Sequence, residues 1–192
     1  PSREAVYPQG FQTTVTVREL ARRWEGAKRP GHFNGVATVV TKLLGLVRPH
    51  VAFFGQKDFQ QSVLVRRLVE DLNLGGRIVV CPTVRERDGL ALSSRNCYLT
   101  PVQRRSAPVL HEALQAGQTA ILRGIRFGSQ ISRAMQRVVE TEPQMKVDYL
   151  AVCDPDTLEP LSRVTKSAVL LGAVRLGRVR LIDNLLVRLG DR

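Results

Sequence analysis

Apolar residues in the first half of the chain follow two patterns, one with helical periodicity and one typical of strands. From Val36 to Val47 they recur three or four positions apart, at 36, 39, 40, 43, 44 and 47. This spacing predicts an amphipathic helix, and Pro49 would end it. The short run HVAFF, residues 50–54, has a proline before it and a glycine after it. Such a run is typical of a strand buried in a parallel sheet.

A second helix and a second strand follow directly. Asp58 can cap this helix, and Gly75 and Gly76 would stop it. The strand is RIVVCP, residues 77–82. A strand, a helix and a strand within about 30 residues form a βαβ unit, which predicts parallel strands joined by a right-handed crossover. The core face of the helix is predicted to consist of Val63, Leu64, the stem of Arg67, Leu68 and Leu72.

Three earlier segments carry shorter patterns. Residues 13–17, TTVTV, alternate and fit either a short strand or the lead into a helix. RELARRWEG, residues 18–26, predicts one or two helical turns that end at Gly26. RPGHFNG, residues 29–35, contains one proline and two glycines and is predicted to be a loop.

The second half of the chain has a different character. Residues 83–99 are polar and have no clear period, and Thr100 followed by Pro101 then predicts a helix start. A further helix is predicted over 127–141. Three strands that pair antiparallel are predicted at 145–154, 167–177 and 179–187. We therefore expect an α/β protein with a parallel-sheet domain at 1–83 and a small α+β domain at 84–192.

Charge and composition narrow the function classes. The 192 residues carry a net charge of +12, which suits either a nucleic acid or a small polyanion. The 29 lysines and arginines are spread along the chain, and aromatic residues make up only 5% of it. A stacking platform for single-stranded nucleic acid is therefore not favoured. A nucleic-acid-binding module is kept as the alternative to a site for a small polyanion.

The sequence indicates neither a membrane-spanning protein nor a metal-binding protein. No apolar run approaches the ~18 residues of a membrane span. Cys81, Cys97 and Cys153 lie far apart and form no C-x-x-C pair, so zinc sites and thioredoxin-type redox sites are not indicated. We expect no metal ligands from the protein. An odd, scattered set of cysteines fits a reduced, cytoplasmic protein.

The segment FGQKDFQQ, residues 54–61, contains several candidate ligand-binding side chains. It lies at the predicted carboxyl end of a parallel strand, and ligands bind at this end of the strands in open parallel sheets. Gly55 lets the backbone approach a ligand closely, and Lys57 suits a phosphate. Asp58 can cap the helix or accept hydrogen bonds from ribose hydroxyls. One of the two glutamines that follow can bind an organic acid. The alternative is an ordinary cap beside a solvated lysine. No Walker-type phosphate loop is present.

Two further segments carry candidate binding residues. In DGLALSSRN, residues 88–96, Ser93 and Ser94 can donate to phosphate oxygens and Arg95 can bind two of them in a fork. The alternative is a serine-rich turn with an exposed arginine. His32, in the predicted loop before the first long helix, can orient a ligand or serve packing alone. His50 and His111 have no second ligand at metal spacing and are predicted to be structural.

Three of these segments together, RPGHFNGVATVVTKLL, FGQKDFQQ and RERDGLALSSRNCYL, resemble the pantoate–β-alanine ligase (pantothenate synthetase) family in order and spacing. The closing GRVRLIDN resembles that family's C-terminal end. The resemblance covers almost the whole chain. It implies part of a Rossmann-like catalytic domain of the nucleotidyl-transferase superfamily, followed by a small α+β lid domain. The SSRN loop would correspond to the superfamily's second phosphate-binding signature.

The resemblance also implies an activity and a set of roles. The activity is ATP-dependent condensation of pantoate with β-alanine through pantoyl adenylate, with Mg²⁺ carried on the ATP phosphates and a homodimeric enzyme. By resemblance, the catalytic phosphate contacts would be Lys57, Ser93, Ser94 and Arg95. The ribose contacts would be Gly55 and Asp58, and the backbone of Val84 would contact adenine. The pantoate contacts would be Gln61, Arg29 and His32.

One feature of the family is not found in this sequence. The TMGALHxGH-type segment, whose histidines stabilise the triphosphate, does not occur in it. The same section of the family supplies further strands of the catalytic sheet, so we expect an exposed strand edge here. We therefore expect this chain by itself to form little or no pantothenate. A nucleotide-binding remnant without catalysis is the second alternative.

Overall fold

The computed structural model describes residues 1–190, and the chain forms two compact units, residues 1–81 and 82–192. The first unit contains four α-helices and two strands within its described residues. The helices are α1 (Arg3–Val6), α2 (Trp24–Lys28), α3 (His32–Val47) and α4 (Phe59–Asp71). The strands are β1 (Val51–Gly55) and β2 (Arg77–Cys81), and a 3₁₀ turn at Gln56–Asp58 joins β1 to α4.

The predicted βαβ unit is confirmed. β1 and β2 pair in parallel, with Val51 opposite Arg77 and Gly55 opposite Cys81. Both strands are less buried than predicted, since most of their residues are half-buried and Phe53 is 69% exposed. The apolar run therefore predicted the strand correctly but overstated its burial.

Helix α3 begins earlier than predicted. It starts at His32, inside the segment 29–35 that was expected to be a loop. The reason is Phe33, which is only 3% exposed and extends the buried stripe one turn towards the N terminus. Two residues of the apolar spacing, Leu43 and Val47, are 42% and 69% exposed.

Of the two short patterns near the N terminus, the one at residues 13–17 was wrong and the one at residues 18–26 was partly confirmed. Residues 13–17 form neither a strand nor a helix. Residues 18–22 form turns, and the helical part of the predicted 18–26 segment is α2, which runs past Gly26 to Lys28. The TTVTV alternation is too short to stand without a neighbouring strand, because a strand needs a pairing partner.

Three details of α4 correct the prediction. Asp58 stands at the N-cap position, but its side chain makes no capping hydrogen bond. Arg67 lies on the solvent side, where its guanidinium is 3.5 Å from Glu70 and 3.7 Å from Asp71. Leu72 lies beyond the helix and is 46% exposed. The predicted core residues Val63, Leu64 and Leu68 are buried.

The second unit is an α+β domain, as predicted. Its helices are α5 (Pro101–Ser106), α6 (Val109–Leu122) and α7 (Gly128–Val139), and its strands are β3 (Met145–Cys153), β4 (Ser167–Leu176) and β5 (Val179–Arg188). Thr100 caps α5 in a reciprocal box with Gln103, which confirms the predicted helix start. A 3₁₀ turn at Ser94–Tyr98 precedes that cap.

The core of the second unit lies between its helices and its sheet. The strands pair antiparallel in the order β3-β4-β5, with a bulge between Val147 and Tyr149. Helix α6 packs on β4 and β5, and α7 packs on α6 and β3. The largest fully buried side chains of this core include Leu114, Ile131 and Leu170. None of the helices within residues 1–190 combines the length and the apolar character that a bilayer crossing requires.

Candidate functional site

The segment after β1 presents its polar side chains at the carboxyl end of a parallel strand. Gly55 is the last residue of β1 and is exposed, and apart from its chain neighbours no atom of the described residues lies within 4 Å of where its Cβ would be. The 3₁₀ turn that follows carries Lys57, which is half-buried, and Asp58, which is exposed. A ligand can therefore approach the backbone at Gly55 with a cation and a carboxylate beside it.

The two glutamines of this segment have different surroundings. Gln60 is 4% exposed, and its amide nitrogen donates to the carbonyl oxygens of Leu20 at 2.6 Å and Arg23 at 2.8 Å. Its amide oxygen accepts from the backbone N–H of Glu25 at 3.0 Å. Gln60 is thus committed to the protein. Gln61 is half-buried and its side chain makes no hydrogen bond to any residue that the structure describes, so only Gln61 has its amide available for a ligand.

Arg29 and His32 lie together at the start of α3. The Nη1 atom of Arg29 donates to Nε2 of His32 across 2.9 Å. Arg29 is exposed, whereas His32 is half-buried and its ring lies against Phe33, with centroids 5.1 Å apart. Because Arg29 has no acceptor, Nε2 of His32 must carry the lone pair, which places the ring proton on Nδ1. The pair presents a cation close to a helix N-terminus.

The candidate phosphate residues of the second unit lie on the 3₁₀ turn. Ser93 is its N-cap, and the Oγ of Ser93 accepts from the backbone N–H of Arg95 at 3.2 Å. Ser94 and Arg95 are exposed. Val84, the expected adenine contact, is 65% exposed, and its carbonyl oxygen accepts from the N–H of Leu92 at 3.0 Å. This bond joins Val84 to the residue that immediately precedes Ser93.

A buried ion pair supports the loop that leads to this turn. Nη1 and Nη2 of Arg85 donate to the two carboxylate oxygens of Asp183 at 2.6 and 2.9 Å. The Nδ1 atom of His111 is 3.5 Å from the same carboxylate, which is longer than an ordinary hydrogen bond, and this atom has no hydrogen-bond partner among the described residues. Burial by itself raises the pKa of Asp183, but the neighbouring His111 and the bound Arg85 outweigh burial and hold that pKa below its usual value. Asp183 is therefore ionised at neutral pH.

A second arginine holds the same loop from another side. Arg104, on α5, donates to Asp88 and to Glu86, at 2.6 Å in both cases. The hydrogen bond from Arg104 lowers the pKa of Asp88. The bond to Asp88 and, to a smaller extent, the bond to Glu86 raise the pKa of Arg104. The carboxylates at 86 and 88 are thus engaged by the protein's own cation.

The predicted residues form two groups in the first unit and one in the second. In the first unit Gly55, Lys57, Asp58 and Gln61 lie within seven residues, from the last residue of β1 to the first turn of α4, and the second group is Arg29 in contact with His32. In the second unit Ser93, Ser94 and Arg95 occupy one turn. No group of three or more His, Cys, Asp or Glu side chains suited to a metal ion occurs within residues 1–190.

Sequence reasoning missed the residues that support these groups. They are Gln60 in the first unit and Arg85, Arg104, His111 and Asp183 in the second. One signal was available. Asp183 and Asn184 interrupt the otherwise apolar run of the last strand, and a carboxylate at a buried strand position requires a paired cation.

Comparison with known proteins decides the family. The family model described as pantoate-beta-alanine ligase matches residues 1–186. The chain belongs to the pantoate–β-alanine ligase family. This agrees with the resemblance in the three motif segments. It places the chain in a family of ligases and confirms the expected α/β class.

Relatives and solved structures agree with this assignment. The chain is 49% identical, over all its length, to pantothenate synthetase of Moorella thermoacetica, and it covers 68% of that protein. It is 52% identical to the Roseiflexus castenholzii pantothenate synthetase over 96% of this chain and 66% of the relative. The crystal structure of pantothenate synthetase from Thermus thermophilus superposes with a TM-score of 0.93 at 49% identity, covering 96% of this chain and 67% of that one.

A fourth relative was solved with ligands. The pantoate-beta-alanine ligase from Francisella tularensis, crystallised as a complex with beta-gamma ATP and beta-alanine, superposes with a TM-score of 0.70 at 33% identity. The match covers 97% of this chain and 62% of that protein. The chain thus spans about two thirds of the length of the family members that it matches.

Proposed function

We propose that this chain carries nucleotide and pantoate contacts of a pantoate–β-alanine ligase, which condenses pantoate with β-alanine at the expense of ATP. The observation that carries the proposal is the family match over residues 1–186, with nearly half of all positions identical to named pantothenate synthetases. The ligands of the Francisella tularensis relative, beta-gamma ATP and beta-alanine, belong to the same reaction.

The ATP contacts are assigned by chemistry and position. Lys57 and Arg95 supply positive charge for the phosphates, and Arg95 can bind two oxygens in a fork. The hydroxyls of Ser93 and Ser94 donate to the phosphates. Gly55 and Asp58 bind the ribose, with the Asp58 carboxylate accepting from its hydroxyls.

The adenine and pantoate contacts complete the assignment. The backbone of Val84 binds adenine. Its carbonyl oxygen is bonded to Leu92, whereas its N–H makes no hydrogen bond with the residues that the structure describes. Gln61 binds pantoate through its amide. Arg29 attracts the pantoate carboxylate, and His32 orients the Arg29 guanidinium through their 2.9 Å hydrogen bond.

The chemistry is carboxylate activation in two steps. The pantoate carboxylate attacks the α-phosphorus of ATP, which forms pantoyl adenylate and releases pyrophosphate. The amine of β-alanine then attacks the acyl carbon, which forms the amide of pantothenate and releases AMP. A free carboxylate does not react with an amine, whereas a mixed anhydride does. The protein contributes positioning and electrostatic stabilisation of the developing phosphate charge.

Magnesium enters as part of the substrate, MgATP. Mg²⁺ binds oxygen ligands and commonly reaches an enzyme on the phosphates of its nucleotide. We also propose a homodimer, on the basis of the family resemblance, and sedimentation equilibrium would decide that proposal.

The test uses two polypeptides. The chain by itself is expected to be stabilised by MgATP and to form little or no pantothenate. A chimera that adds the N-terminal section of a family member, including its TMGALHxGH-type segment, is expected to release AMP only when ATP, pantoate and β-alanine are all present. A folded chimera that binds ATP without releasing AMP would contradict the ligase assignment and leave a non-catalytic nucleotide-binding remnant.

The +12 charge supplies the only argument for nucleic acid. If nucleic acid were the ligand, duplex DNA would retain the chain with a steep dependence on salt, and ATP would leave the melting temperature unchanged. We expect the opposite pattern, with weak DNA binding and a melting temperature that rises with ATP concentration.

A further inference from the structure

Residues 84–92, here called the support loop, have little regular structure of their own. Their backbone contributes one isolated bridge, Arg85 to Ala91, and the 3₁₀ turn that carries Ser94 and Arg95 follows them along the chain. A loop without a strand or helix is ordinarily mobile. Here ion pairs between side chains of the loop and side chains of other elements fix its position.

The first anchor comes from β5. Besides its two bonds to Asp183, the Arg85 guanidinium donates to the carbonyl oxygen of Gly89 at 3.0 Å and to that of Asn184 at 3.4 Å. One side chain thus ties the beginning and the tip of the loop to a buried carboxylate. The tip also packs on α6, because a Cβ at Gly89 would lie 2.6 Å from Cδ2 of His111.

The second anchor joins the loop to α5 and to the 3₁₀ turn. Arg104 holds Glu86 and Asp88. Asn96, inside the turn, donates to the carbonyl oxygen of Ala91 at 3.1 Å and to Glu86 at 3.4 Å. These contacts form a continuous path from α5 through the support loop to the turn.

The two anchoring arginines have acidic partners, whereas the exposed Arg95 has none among the described residues. Arg85 and Arg104 are neutralised by three carboxylates, those of Glu86, Asp88 and Asp183. Arg95, in contrast, is exposed, and its side chain makes no hydrogen bond or ion pair with the residues that the structure describes. The anchoring arginines hold the loop, and Arg95 alone among these three offers its charge to an anion.

We propose that Arg85, Arg104 and Asp183 are positioning residues that hold the support loop so that Ser93, Ser94 and Arg95 stand preorganised for the phosphates of a nucleotide. This rests on the proposed function of residues 93–95. A loop that is already fixed loses less freedom when its ligand binds, so affinity increases without any added contact.

The experiment combines amide hydrogen exchange with ATP binding on the whole chain. The probes are the N–H groups of Glu86, Leu92 and Asn96, which donate to Leu90, Val84 and Ser93 respectively. Arg104→Gln and Asp183→Asn are the test variants. Because the Arg104 side chain is about one third exposed, at 31%, Arg104→Gln is the variant that keeps the fold. Asp148→Asn is the control, since Asp148 also pairs with two arginines, Arg175 and Arg180.

The two readouts separate this inference from the proposed function. We expect the three probe amides to exchange at least about tenfold faster in both test variants and ATP to bind about tenfold more weakly. The β4 amides and the affinity for pantoate should stay at wild-type values, and Asp148→Asn should change neither the probes nor ATP affinity.

Unchanged probe exchange in Arg104→Gln overturns the inference. So does faster exchange with wild-type ATP affinity, which would leave the assigned role of residues 93–95 intact. A wild-type chain that binds no ATP overturns the proposed function and, with it, the positioning role for a nucleotide. In that case the exchange rates still decide whether the three residues hold the loop.

Discussion

The side-chain amide of Gln60 donates to the backbone carbonyl of Leu20 at 2.6 Å, across 40 residues of sequence. The same amide also bonds to Arg23 and Glu25, so one buried side chain fixes the segment that leads into α2. Its neighbour Gln61 makes no such contact among the described residues. Adjacent glutamines in one motif therefore have separate tasks, and the first prediction uses that difference.

Replacing Gln60 by alanine removes three hydrogen bonds and leaves buried backbone groups without partners. We expect a loss of about 2–4 kcal/mol in the free energy of unfolding, since each unsatisfied buried group costs about 1–3 kcal/mol and relaxation recovers part of it. Gln61→Ala should stay within about 0.5 kcal/mol of wild type while weakening pantoate binding. Urea denaturation and calorimetric titration measure the two effects. Equal stability losses in both variants would refute the assigned division.

Removing one partner of the Arg85–Asp183 pair should destabilise the protein more than replacing both partners. Asp183→Ala leaves the Arg85 guanidinium without its partner and should cost about 3–5 kcal/mol. Replacing both residues by leucine should cost less than Asp183→Ala, because no unpaired charge remains. Glu70→Ala, which removes an exposed partner of Arg67, serves as the control and should cost at most about 1 kcal/mol. A double variant less stable than Asp183→Ala would contradict this account.

Acid should destabilise the second unit through its paired aspartates. The pKa of Asp183 is lowered despite burial, by His111 and Arg85, and the pKa of Asp148 is lowered despite burial, by Arg180 and Arg175. A carboxyl whose folded pKa lies below its unfolded value of about 3.9 adds stability above that value. This stability is lost as the pH falls through the folded pKa. The urea midpoint should therefore be level from about pH 5 to 7 and fall below about pH 4. A midpoint that rises on acidification would be inconsistent with both ion pairs.

Alanine substitutions at two glycines should change the free energy of unfolding in opposite directions. Gly89 has a φ of +92°, and a Cβ there would meet the His111 ring at 2.6 Å. Gly89→Ala should destabilise by about 1–3 kcal/mol. Gly45 lies inside α3, and outside the helix backbone no atom of the described residues lies within 4 Å of an added Cβ. Gly45→Ala should therefore stabilise by about 0.5–1 kcal/mol. Thermal unfolding of both variants would check the pair, and a destabilising Gly45→Ala would count against the packing described for α3.

Local patterns predicted most of the fold. The βαβ unit, the Thr100–Pro101 helix start and the three antiparallel strands are all confirmed, because periodicity and capping act over a few residues. The start of α3 was placed too late in the chain, since Phe33 was assigned to a loop on the strength of its glycine neighbours. The motif residues Lys57 and Arg95 could be chosen from the sequence, but their roles remain predictions.

The supporting contacts could not be read from local sequence. Gln60 was grouped with Gln61 as a candidate ligand, although its partners lie 35 to 40 residues earlier. Arg85 and Asp183 are 98 residues apart, so neither position alone indicates the other. Pairings of this kind depend on the tertiary fold, and the strand and helix periods of a sequence contain no information about them.

ATP affinity tests the central claim most directly. The dissociation constant of ATP should be measured calorimetrically for the wild-type chain, Lys57→Ala and Arg95→Ala. The controls are Lys146→Ala and Arg137→Ala, which remove exposed cations on β3 and α7. A charged hydrogen bond contributes about 1.5–3 kcal/mol, so each test variant should bind ATP roughly 10- to 100-fold more weakly, and the controls should match wild type. Wild-type affinity in both Lys57→Ala and Arg95→Ala would contradict the account.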